Sequence, residues 1–192
     1  DPVLSRSDVA GWTAILKKAG IKQINGDIIG DDRVFEDGQW GDGWMWNDVY
    51  GGWATGTSGL QLHPNTVRAY LIPGPTLGDD ARMELRGGGP NLPIQNRVRT
   101  GAPGSEVRLE FLPPPEGGDV RLEGWVPLGP DTIPLYLATP HPTLYLLDYL
   151  GGQLQRDGIE VSGETRRASP SDRPSEPTWS TELHSEPLST VV

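Results

Sequence analysis

The sequence predicts an α/β domain with a β-rich domain, antiparallel and sandwich or barrel-like, inserted in it, so that the chain is multi-domain α+β overall. Three observations predict it. Near each end a helical stretch closes on Gly-Ile and enters a strand, as "GIKQING" and "GIEVSGE". Six short alternating runs, each bounded by Gly or Pro, fill the middle. The 192 residues, 35% of them hydrophobic, suffice for one generous domain or two small ones with a buried core.

The first helix starts at Ser5, which can cap it, with Asp8 placed three residues on to close a capping box and Leu4 able to staple onto Val9. Gly20 ends it. Isoleucines at 21, 24, 28 and 29 then suit one buried strand that closes at Gly30-Asp31-Asp32. In the distal unit, Pro142 to Asp157 puts Leu147, Leu150 and Leu154 on one helical stripe, Gly158 stops the helix, and Ile159-Glu160-Val161 begins a strand. Strands belonging to two such units are expected to lie parallel, because a helix crossover is the usual link between parallel strands. The intervening runs are 66–72, 81–86, 94–100, 107–112, 120–125 and 133–138, with Gly87-Gly88-Gly89 before Pro90 as a hairpin connection. The resulting division is 1–63 with 131–163 as the α/β domain, 64–130 as the insertion, and 164–192 as an extended connection rich in X-Pro steps.

Charge narrows the function classes. Sixteen basic against 26 acidic residues leave a net charge of -10 and make nucleic acid a poor partner. No run approaches the length of a membrane span, no leader opens the chain, and a start at Asp1 suggests processing or excision. Zero cysteine excludes disulfides and thiolate metal sites without fixing a compartment. His63, His141 and His184 stand isolated, so neither a metal nor any other cofactor is expected. The acidic stretch Asp27, Asp31, Asp32, Glu36, Asp37, Asp42 and Asp48 reads as solvated turn carboxylates, because Val34 falls where a calcium loop needs an oxygen.

Nucleophilic catalysis is absent in an informative way. A serine acylase needs a helix-borne S-x-x-K so that the lysine can take the serine's proton one turn away. Here the lysines are Lys17, Lys18 and Lys22, and Ala14, Ile15 and Ala19 precede them by three. S-x-N and K-T-G are missing too, and Ser58 in "GTSGL" lacks a nucleophile elbow and reads as a Ser/Thr turn.

"DPVL" followed by a helix, then "LKKAGIKQINGDIIGDDRVF", "GWMWND" and "HPNTV", resemble the region after S-x-x-K in class C low-molecular-mass penicillin-binding proteins. These are serine D-alanyl-D-alanine carboxypeptidases and endopeptidases of the cell wall. "LGGQLQRDGIEVSG" and "LHSEPLSTVV" are similar to their later helix-strand unit and the lead-in to S-x-N. The resemblance implies an accessory segment between those two motifs, with the catalytic groups outside it. It also implies trimming of peptidoglycan stem peptides through an acyl-enzyme that β-lactams trap, in the periplasm or extracellular cell envelope.

One functional position is implied within the chain. In the family an aspartate, followed five residues later by an aromatic, lines a pocket for the stem peptide's diamino-acid side chain; here those positions are Asp48 and Trp53. A carboxylate can take charge-assisted hydrogen bonds from an ammonium while an indole covers its methylene stem. Asp48 can equally be a turn-capping acid, and Trp53 a core aromatic. Trp44 and Trp46 are expected to pack beneath the loop, and Asn65 to form a turn. The alternative function is a non-catalytic glycan-binding or structural module of the envelope, with Trp40, Trp44, Trp46 and Trp53 as a stacking platform.

Overall fold

A computed structural model describes residues 4–34, 40–45, 47–86, 94–113, 119–139, 141–172 and 180–184. Trp46, Glu36, Asp37, the Gly87–Gly89 triplet, the X-Pro steps within 173–179 and residues 185–192 lie outside them. The chain is mixed α/β, with few helices and several small sheets, and its contacts gather into two compact units. The first comprises Asp1–Gln39, Thr57–Pro64 and His141–Val192; the second comprises Trp40–Gly56 and Asn65–Pro140. Residues 40–56 and 133–138 thus fall with the β-rich unit, whereas the boundaries drawn from sequence put them with the helices.

In the first unit α1 (Arg6–Lys18) starts at Ser5, whose hydroxyl accepts the Asp8 amide while the Asp8 carboxylate accepts the Ser5 amide. Leu4 and Val9, the two ends of the expected staple, are both buried. The Gly-Ile repeat has a common structural cause. After α1, Gly20 at φ +79° lets its amide reach Lys17 O while the Ile21 amide reaches Leu16 O. After α2 (Pro142–Arg156), Gly158 at φ +77° and Ile159 bond to Gln155 O and Leu154 O in the same way. Both helices end in a Schellman motif, which needs a left-handed residue at that position and so selects glycine. The Thr13 hydroxyl, fully buried on α1, donates to Asp157 at the end of α2 at 2.6 Å and joins the helices.

Each helix then feeds a strand, and the strands pair in parallel as the pattern predicts. β1 (Gln23–Ile24) lies beside β9 (Glu160–Val161), and β2 (Ile28–Gly30) beside β10 (Thr165–Arg167), with one register kept across both. Two expectations fail here. Residues 21–29 are not one buried strand, because Gly26 at φ +144° interrupts the ladder and Ile29 is exposed. The segment after Glu164 is not merely a connection either, because β10 sits in the parallel ladder. Gly30 marks where α2 presses on β2: a Cβ there would come within 2.9 Å of the Thr143 methyl.

The second unit contains two three-stranded sheets. One has the order β4 (Arg82–Arg86), β3 (Thr66–Ile72), β8 (Ile133–Ala138), antiparallel throughout. The other has β7 (Val120–Pro127) between β5 (Ile94–Gly101) and β6 (Arg108–Leu112). All six runs form strands close to their expected bounds, but pairing is not uniformly antiparallel. β5 runs parallel to β7, which has displaced β6 from the place a simple meander would give it. Leu71, Ala81, Val98, Leu122 and Val126 form one core cluster drawn from both sheets, with Met83, Leu109, Phe111 and Leu135 packed around it.

Gly124 is the tightest point of this unit. It holds φ +122° inside β7, and a Cβ there would stand 2.0 Å from the Arg108 carbonyl oxygen on β6. Gly124→Ala is therefore expected to lower stability by about 2 kcal/mol or more in urea unfolding. Gly151→Ala, on α2 with nothing within 4 Å, is expected to raise it by about 0.5–1 kcal/mol.

Candidate functional site

The loop that carries "GWMWNDVYGGW" belongs to the second unit. The Trp40 indole donates to Ala54 O at 2.7 Å and ties the loop's ends together. Within it, Asp48 Oδ2 accepts the Met45 amide at 3.3 Å, and the Asp48 amide donates back to Met45 O at 3.0 Å. That reciprocal turn leads into a single 3-10 turn, Asp48–Tyr50, ended by the Gly51 amide on Asp48 O. Gly51 then bridges to Leu137, and the Gly52 amide donates to Tyr136 O, so the loop is stitched to the free edge of β8. Tyr50 packs its ring 5.9 Å from Phe111, and burial pushes its phenol pKa up.

Asp48 is half-buried, and no basic side chain lies within ion-pair distance of it among the described residues. Its carboxylate holds the turn by one amide. Trp53 is 67% exposed, which makes it a surface aromatic and not part of the core. The packing role expected for Trp44 is not what the structure shows: Trp44 is 45% exposed and leans on Trp53, ring centroids 5.8 Å apart. The cause lies in the glycines. With no side chain at Gly51, the Trp53 indole folds back over that position, within 2.6 Å of where a Cβ would be, and meets Trp44 at the surface. Asn65 does form a turn, at φ +56°, with its buried amide donating to Gly56 O and its side-chain oxygen accepting the Thr139 hydroxyl.

A second cluster, in the first unit, was misread from sequence. Asp32 is not a solvated turn acid. It is 5% exposed and takes two hydrogen bonds from the Arg167 guanidinium, at 2.9 and 3.0 Å, and one from the Thr143 hydroxyl. Ser58 completes the cluster, 2.8 Å from Thr143 Oγ1, and its oxygen accepts the Leu60 amide in the expected turn. Burial acts to raise the Asp32 pKa, but the bonds from Arg167 and Thr143 outweigh it and leave the carboxyl below its ordinary value. Nearby, Arg33 draws Asp31 down to about 2, and Arg166 lowers both Asp172 and Asp27. Sequence patterning could not reveal Asp32's partner, which is 135 residues away.

Neither cluster contains an activated nucleophile. Ser58 faces a carboxylate and a threonine, with no lysine or histidine bonded to it. Among the described residues no three His, Asp or Glu side chains converge as metal ligands. An apolar groove of about 440 Å³, bounded by Trp12, Ile15, Leu16, Ile24, Leu150 and Leu183, has no titratable side chain in its wall.

The first unit should therefore behave as an acid-sensitive ion-pair assembly. The pKa values of Asp27, Asp31, Asp32, Asp157 and Asp172 are depressed on folding, so their stabilisation is present above the ordinary value of 3.8 and lost as pH falls through the folded values, with Asp148, raised by burial, acting in the opposite sense. Unfolding midpoints are expected to be flat from about pH 7 to 5 and to fall between about pH 4 and 2. Arg167→Met should cost about 1–3 kcal/mol at pH 7 by stranding Asp32, the exposed half of the arginine limiting the loss.

The sequence profile of the D-Ala-D-Ala carboxypeptidase 3 (S13) family matches residues 1–192. A D-alanyl-D-alanine carboxypeptidase DacB of Haemophilus influenzae is 49% identical over 49 residues, 26% of this chain and 10% of that protein. A D-alanyl-D-alanine carboxypeptidase of Actinomadura sp. is 22% identical over 169 residues, 85% of this chain and 31% of that protein. The crystal structure of penicillin binding protein 4 (dacB) from Haemophilus influenzae superposes with a TM-score of 0.75 at 24% identity, covering 91% of this chain and 38% of that one. A complex of the same protein with a β-lactam gives 0.64 at 18% identity. The chain thus spans less than two fifths of the length of these relatives, and the solved structures establish its fold. On the match over all of its residues, the chain belongs to the D-Ala-D-Ala carboxypeptidase 3 (S13) family.

Proposed function

We propose that this chain is an accessory segment of a cell-wall serine D-alanyl-D-alanine carboxypeptidase/endopeptidase, a penicillin-binding protein that trims peptidoglycan stem peptides in the periplasm or extracellular envelope. The observation that carries the reading is the family match across residues 1–192. The serine, the lysine that takes its proton and the oxyanion donors are supplied by parts of the protein other than these residues. Covalent attack divides a difficult acyl transfer into two steps, and fixed donors stabilise the charge that develops in each. The β-lactam partner is the compound class seen with the structural relative. In layout, the β-rich unit of 40–56 and 65–140 is a sandwich-like insertion in the α/β unit, a reading supported by the single core shared by the two sheets.

Within this chain Asp48 and Trp53 form the wall that reads the stem peptide's diamino acid. Trp53 is exposed, as a residue that covers a methylene chain must be. Asp48 has no cation paired with it among the described residues and can take the ligand's ammonium while keeping the Met45 amide. A second reading, glycan stacking, is favoured by the exposed Trp44–Trp53 pair.

Two outcomes follow for the full-length protein and one for this chain by itself. It is expected to release D-Ala from a pentapeptide, measured by amino-acid analysis. Asp48→Ala is expected to lower kcat/KM about 10- to 100-fold for peptides with a free side-chain amine and to leave acylation by a β-lactam lacking an amine within about twofold. Equal loss for both would mean damage to the loop. The 192-residue chain by itself should form no adduct with a fluorescent penicillin, and a stoichiometric serine adduct would contradict the assignment.

A further inference from the structure

The outer face of the sheet β4-β3-β8 carries an unusual pair. Arg68 on β3 and Arg86 on β4 are register partners, so two guanidinium groups stand directly opposite each other on adjacent strands. Like charges in that position are destabilising. Neither arginine has a carboxylate within ion-pair distance among the described residues, although the chain as a whole is at -10. Arg82, Arg99 and Arg121 show the ordinary solution, each paired with a carboxylate, on Glu84, Asp80 and Glu123.

The two arginines are instead held by aromatic faces. Arg86 lies 4.4 Å from the Tyr70 ring centroid and Arg68 lies 5.2 Å from that of Tyr136. On the face opposite the buried Val67, Ala69 and Leu71, β4 presents Arg82, Glu84 and Arg86, β3 presents Arg68 and Tyr70, and β8 presents Pro134 and Tyr136. Tyr136 is half exposed. Cation-π contacts fix the guanidinium planes without neutralising them. Glu84, which stands opposite Tyr70 on the same face, is taken by Arg82, so the Arg68–Arg86 pair is left without an oxyanion, and a planar carboxylate can bridge two guanidinium groups with charge-assisted bonds.

We propose that the outer face of β4-β3-β8, through Arg68, Arg86, Tyr70 and Tyr136, binds a carboxylate-bearing glycan chain. The charge is complementary at the site itself: the unneutralised arginine pair attracts an anion that the rest of this acidic protein, at -10, repels. An extended polymer can cross all three adjacent strands, which together span about 10 Å. Tyrosine faces beside the anion site give sugar rings an apolar surface to lie on. The face borders the Asp48 loop, whose Gly52 amide donates to Tyr136 O, but the proposal does not depend on the role given to that loop.

The test is calorimetric titration of the full-length protein with a galacturonic-acid hexamer as probe, beside neutral chitohexaose, polyphosphate and polyglutamate. The acidic hexamer should bind at least tenfold tighter than the neutral one and weaken with added salt. The double variant Arg68→Gln/Arg86→Gln should lose at least tenfold of that affinity while releasing D-Ala from a short soluble pentapeptide at the unaltered rate. Unchanged affinity in the double variant would overturn the proposal. Equal binding of chitohexaose or polyphosphate would overturn its sugar-and-carboxylate chemistry, and tighter binding of polyglutamate would point to a protein partner instead. Arg86→Gln alone should leave the unfolding temperature unchanged or raise it, because it removes a like-charge contact; a marked fall would make the pair structural and contradict the proposal.

Discussion

The carboxylate of Asp32 is the constraint on which the first unit depends. It is nearly removed from water, so its charge must be met by the protein, and it is met by Arg167 from β10 and Thr143 from α2, with Ser58 behind them. The acid and its partners come from three stretches of chain separated by the residues of the second unit. Satisfying one buried charge therefore fixes how the stretches return to each other: β10 must lie along β2, and α2 must press on Gly30 closely enough to bring Thr143 into range. Removing any partner leaves an acid in a dry site, which costs far more than an exposed pair would.

The second unit solves a different problem. Its loop from Trp40 to Gly56 contains three described tryptophans, yet two of them stand at the surface. Glycines at 51 and 52 allow backbone to close on β8 where any side chain would collide with Trp53 or Tyr136. The turn that Asp48 closes, and the strand edge to which the loop is stitched, hold the Trp44–Trp53 pair and the carboxylate in one short segment. Rigid scaffold and exposed aromatic are what a recognition wall requires, since ordering a loose loop on binding would consume affinity.

Much of the architecture was legible in the chain because its signals are local. Ser5 with Asp8 wrote the start of α1, Gly20-Ile21 and Gly158-Ile159 wrote two helix ends, and alternation wrote six strands. What was not legible depends on distant partners. Alternation within 94–100 and 120–125 says that two strands exist but not that β7 will sit between β5 and β6 and pair in parallel with β5. Asp32 has the same local setting as Asp31 and still ends buried, because only the fold brings Arg167 to it. Trp44 looked like core because tryptophan usually is; the gap left by Gly51 decided otherwise.

The recognition role proposed for the loop is tested directly by hydrogen exchange on the full-length protein with and without a stem peptide bearing a free side-chain amine. Slowed exchange at the amides of residues 45–54, lost when the amine is acetylated, is the expected result. Protection confined to other parts of the protein, or protection of 45–54 that ignores the amine, would contradict the assignment of Asp48 and Trp53 to the substrate.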